Sequence, residues 1–145
     1  MPDTVVESTF DVALWFQDRA RREDTYLQAQ KLQRLLYLAQ GYYSAMNCGR
    51  KLMPAVFVAQ KMGPIEPNIY GVFEAGRPSM ELTSPPPVVE NFLELMWRRF
   101  SHHTTEYLTT VIKSHDIYAD AFERGAGDTS PVEISKYIVI LFRCA

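Results

Sequence analysis

The sequence predicts a mainly α, single-domain protein with about six or seven helices around one buried central helix, leaving room for a single short strand pair. Three observations lead there. The chain has 145 residues and is 47% hydrophobic, which is enough to close one core and is near the usual size of a single domain. Residues 31–45, KLQRLLYLAQGYYSA, are apolar around most of a helical circumference. Caps and prolines punctuate the rest at helical lengths.

Residues 1–7 carry no periodicity and read as a loose tail, so the domain is placed at 8–145. From Ser8 or Thr9, either of which can cap, Val12, Ala13, Phe16 and Ala20 recur on one helical face. Trp15 points off that face and is expected to pack under a neighbouring loop rather than await a partner. Arg19, Arg21 and Arg22 stand among Asp18, Glu23 and Asp24, the pattern of a solvated helix end.

The second helix, over 27–47, places Leu32, Leu35, Leu36, Ala39, Tyr42, Tyr43 and Met46 on one broad face, widened by Leu38 and Ala45. Such a helix must be wrapped by others. Beside that face runs a stripe of Gln33, Tyr37, Gln40 and Ser44, whose polar groups border the core and need partners. Gln33, Tyr37 and Gln40 either hydrogen-bond the backbone of the Gly63-Pro64-Ile65-Glu66-Pro67 turn, which is the expectation adopted, or line a groove for a partner segment.

Asn47-Cys48-Gly49 closes the helix. Segments 51–53 and 56–59 lean towards a minimal strand pair around Pro54, although 55–62 could equally be a helical turn. The prolines of the 63–67 turn force any new helix to start with Pro67, and Gly76 ends it. Residues 77–87, with Pro85-Pro86-Pro87, form an irregular connection and the best candidate for a mobile or partner-facing loop. Helical spacing returns over 88–100 and 104–114. Asp116 can cap a short helix ending before Gly125, and Ser130-Pro131-Val132-Glu133 opens a last one, although its YIVILF run could also be a strand.

The formal net charge of −2 gives no positive field for phosphate backbones, so nucleic acid is not the expected partner. Two cysteines, Cys48 and Cys144, are too few for a disulfide scaffold, and no leader pattern opens the chain, so a cytoplasmic location is expected. No apolar run approaches the roughly 20 residues of a membrane span. His102, His103 and His115 have neither i, i+4 spacing nor a Cys-x-x-Cys pair to complete a metal set, so neither metal nor cofactor is expected. A hydrolytic site built on Cys48 with His115 and Asp116 is the remaining chemical reading. No nucleophile elbow or phosphate-cradling loop supports it, and the chain is not expected to be an enzyme.

Two segments together resemble the Panacea, or SocA-like, domain family, also described as the phage-associated GepA type. Lys31, Leu32, Gln33, Leu35, Leu36, Tyr37, Ala39, Gln40 and Gly41 match its Lys-Leu-Gln-x-Leu-Leu-Tyr-x-Ala-Gln-Gly helix. Lys61, Gly63, Pro64, Pro67 and Tyr70 match its Lys-x-Gly-Pro-x-x-Pro-x-x-Tyr turn. Ser114-His115-Asp116-Ile117-Tyr118 is similar to its Thr-His segment, with tyrosine where tryptophan is more usual, and 77–87 is richer in proline than the family pattern. The resemblance implies an antitoxin that binds a cognate toxin protein, in some members as an adaptor delivering it to the ClpXP protease. A stand-alone interaction or inhibitor module is the alternative.

Overall fold

Ser8 starts the first helix, its hydroxyl accepting from the Phe10 amide at 3.1 Å, and α1 (Thr9–Arg22) follows. The computed structural model describes residues 4–124. Within them the order continues with α2 (Ala29–Met46), β1 (Val58–Gln60), β2 (Gly63–Ile65), α3 (Pro67–Phe73), α4 (Pro87–Phe100), α5 (Thr105–Lys113) and α6 (Asp116–Arg124). Six helices and one two-stranded antiparallel sheet make a mainly α domain. The helix expected from Ser130-Pro131 lies outside the described residues.

The central helix is α2, which packs against α1, α3, α4, α5 and β2. Leu32, Leu35, Leu36, Tyr37, Leu38 and Ala39 are all buried, as the nearly unbroken apolar circumference requires. Met46, expected on the same face, is instead exposed; it is the last helical residue, beside exposed Asn47 and Cys48. Aromatic rings lock the neighbours in place: Tyr43 meets Phe92 of α4 edge-on at 5.1 Å, and Phe16 of α1 reaches Trp97 at 6.4 Å. Trp15 is buried, as expected of so large a side chain.

The start of the chain departs from the sequence expectation. Thr4 bridges Lys51 in parallel, the amides of Val5 and Val6 donate to the carbonyls of Lys51 and Leu52 at 3.1 and 2.9 Å, and Val6 is buried. Residues 4–6 are therefore fastened to the domain, because burying Val6 requires its backbone to find partners. The sheet also differs from the expected pairing of 51–53 with 56–59. Val58 pairs with Ile65, Ala59 with Pro64 and Gln60 with Gly63, so Lys61 and Met62 form the tip of a tight hairpin.

Pro67 is the first residue of α3, as its fixed φ and missing N–H predict. Residues 77–86 are irregular, yet Arg77 grips Asp18 with bonds of 2.7 and 3.2 Å and so holds the beginning of this connection against α1. Among the described residues no helix is long and apolar enough to cross a membrane.

Candidate partner-binding site

The polar stripe of α2 stitches the helix to the segment that follows it. Gln33, Gln40 and Ser44 are all buried. Gln40 pairs with both backbone groups of Met53, donating to its carbonyl at 2.9 Å and accepting from its amide at 3.1 Å. Ser44 donates to the Arg50 carbonyl at 3.0 Å, while Gln33 accepts from the Glu66 amide at 2.7 Å. Only Gln33 reaches the 63–67 turn; Gln40 and Ser44 lie further along the helix and serve the backbone beside them. Tyr37 does not bond the turn either. Its hydroxyl is buried without a hydrogen-bond partner, and its ring stands edge-on to Phe57 and Tyr118 at 5.5 and 6.4 Å. Burial pushes the Tyr37 phenol well above its ordinary range.

The hairpin itself is held by Arg34, whose side chain is only 1% exposed. Its guanidinium donates to the carbonyls of Met62 and Pro64, the second at 3.2 Å, and its Nε donates to Thr109 Oγ1 of α5 at 2.8 Å. Among the described residues no carboxylate pairs with it; backbone dipoles and a hydroxyl solvate the charge instead. Burial lowers the Arg34 pKa, opposed by the nearby phenols of Tyr118 and Tyr70. Two more side chains finish the clamp, as Lys113 of α5 donates to the Lys61 carbonyl and Tyr118 of α6 to that of Gln60. The carbonyls of Gln60, Lys61, Met62 and Pro64 thus all accept from helix side chains.

Gly63 makes this approach feasible. Its φ of +130° is a conformation other residues rarely adopt, and a Cβ there would stand 2.5 Å from the Arg34 guanidinium carbon. With its backbone held inward, the turn leaves the side chains of Lys61 and Met62 exposed, Met62 at 62%. Tyr118 sits beneath the hairpin; burial raises its phenol to about 12, against the opposing pull of Arg34. Glu66, just beyond the hairpin, is buried and caps α3, accepting from the Ile69 amide at 3.1 Å. Burial raises its carboxyl pKa, opposed by its hydrogen bonds to Ile69 and Asn68.

The structure brings Gln33, Lys61, Gly63, Pro64, Pro67 and Tyr70 together around this hairpin and the start of α3. Lys31 works elsewhere, donating to the Ser101 carbonyl at the end of α4, and Gly41 is buried within α2. His115 and Asp116 sit at the α5–α6 junction, where the His115 carbonyl accepts from the amides of Tyr118 and Ala119. Burial lowers the His115 pKa. Cys48 is exposed at the end of α2, and no three His, Cys, Asp or Glu residues gather around a metal-sized site among the described residues.

Arg34, Thr109 and Glu66 escaped the sequence reading. One signal was available for Arg34: on a helix apolar nearly all round, a charged residue followed at i+4 by Leu38 has no aqueous face and must be paired within the protein. Glu66, an acid directly before a proline that starts a helix, sits where the helix N-terminus favours negative charge. Compared with protein-family models, with curated proteins and with solved structures, the chain gives no match.

Proposed function

We propose that this chain is an antitoxin-like binding protein that neutralises a cognate toxin by direct contact and, in an adaptor role, presents it to a protease of the ClpXP kind. The observation that carries this reading is the clamped hairpin. Side chains from α2, α5 and α6 fix its backbone, and an exposed methionine and lysine remain at the tip. A preorganised turn loses little conformational freedom on binding, and methionine adapts to varied apolar surfaces. The resemblance of the α2 and 61–70 segments to the Panacea family supports the same reading.

Co-expression with the product of the neighbouring gene tests it. A stable complex and restored growth are expected, and Met62→Asp at the tip should abolish the complex while leaving the helical circular dichroism unchanged. Absence of both complex and rescue with the unaltered chain sinks the proposal. The adaptor role requires faster turnover of the toxin when this protein and ClpXP are both present.

A further inference from the structure

A second surface lies at the α4–α5 junction. We propose that it docks a carboxylate-rich, acidic segment of a protein partner, an inference that rests on reading the chain as a protein-binding module. Among the described residues, Arg19, Arg77 and Arg98 each pair with a carboxylate, whereas the Arg99 guanidinium lies 4.9 Å from the ring centre of Tyr42 and 5.3 Å from that of Phe100 and makes no ion pair. A guanidinium held against aromatic rings can still take a carboxylate with two parallel N–H bonds.

The neighbouring rings extend this surface. His103 stacks on Tyr107 and lies tilted against His102, with centroids 4.4 Å apart on each side, and Tyr107 is 50% exposed. Lys31 adds a cation where its ammonium meets the Ser101 carbonyl. Of the acids on these two helices near the junction, Glu94 is occupied by Arg19 and Arg98, which leaves Glu106 as the opposing charge. The patch is therefore locally basic in a chain whose net charge is −2. Arginine and tyrosine are the residues on which binding energy concentrates, and stacked rings are already ordered before a partner arrives. The same net charge argues against a nucleic acid, which needs a wider positive field.

The test is a titration of the full chain, followed by backbone amide NMR, with a short synthetic peptide of alternating glutamate and glycine. Its glutamine counterpart and a single-stranded oligonucleotide are the controls. Saturable shifts over 99–107, weakened by salt, are expected from the glutamate peptide and not from the glutamine one. Arg99→Gln and, separately, Tyr107→Ser should each reduce affinity by about tenfold, with unchanged thermal unfolding. Tyr107 is exposed, so its variant keeps the test valid if Arg99→Gln perturbs packing. The proposal is overturned if the glutamate peptide leaves 99–107 unshifted, if the glutamine peptide binds equally well, if both variants bind like the unaltered chain, or if the oligonucleotide binds more tightly. No toxin enters this titration, so a failed growth rescue and a failed titration are separate outcomes.

Discussion

Arg19 and Arg34 both fasten distant parts of the chain, but in opposite surroundings. Arg19 joins α1 to α4 through two bonds to Glu94, at 2.8 and 2.9 Å, at a partly solvated seam where Trp97 also donates to Glu23. Its charge is matched by carboxylates, and its pKa is raised, chiefly by the Glu94 bond. Arg34 joins α2 to the hairpin in the interior, faces carbonyls instead of carboxylates, and has its pKa lowered by burial. One arginine is stabilised by opposite charge and the other by dipoles. The first kind of link should be modest and salt-sensitive; the second should be strong and indifferent to salt.

Removing each side chain probes that difference most directly. Arg34→Met keeps the apolar stem but removes the donor to the part-buried Met62 carbonyl and leaves the buried Pro64 carbonyl unpaired, the latter at about 1–3 kcal/mol. Relief from burying a charge offsets part of this, so a loss of about 2–4 kcal/mol is expected in urea unfolding. Arg19→Met should cost about 1 kcal/mol, and high salt should erase that cost while leaving the Arg34→Met cost in place. Equal losses with equal salt dependence would show that the two arginines act alike.

Gly63→Ala comes next in expected effect. Strain at positive φ costs about 1–3 kcal/mol, and the added carbon also displaces the Arg34 guanidinium. Combined with Arg34→Met, which removes the group the new carbon would strike, the two losses should sum to about 1–2 kcal/mol less than additivity predicts. Strict additivity in a double-mutant cycle would mean that the glycine serves the turn alone and not the arginine.

The smallest effect separates the two seams by pH. Hydrogen bonding to Arg19 holds the Glu94 carboxyl at about 2, below the ordinary 4.5. Its stabilising contribution is therefore complete above pH 4.5 and lost as pH falls towards 2. Glu66 has the reverse sign: burial raises its carboxyl, so its contribution is present below the ordinary value and lost as pH rises through the raised one. Acid unfolding curves should flatten for Glu94→Gln, whereas Glu66→Gln should bring its relative gain on the neutral side. The opposite assignment would overturn the account of both seams.

Much of the architecture was legible along the chain. Ser8 capped α1, Pro67 opened α3, and the unbroken apolar circumference of 31–45 placed α2 at the centre, because these signals act over one or two turns of local chain. The stripe of Gln33, Gln40 and Ser44 was also readable as buried polar groups in need of backbone. Their individual partners were not, since those depend on where residues 50–66 return against the helix.

The sequence by itself therefore determined where most of the described helices fall, the start of α1 near Ser8 and of α3 at Pro67, and the need to satisfy the α2 stripe, all consequences of local periodicity and backbone chemistry. Only the tertiary structure decided that Val6 is held by residues 51–52, that the strands pair across Lys61 and Met62, and that Arg34 lies over Gly63. The strand register is local, Gln60 facing Gly63, but the other two contacts join residues about 30 or more positions apart, as Arg34 does with Pro64. Such pairings follow from packing whole elements around one core, which no local pattern encodes.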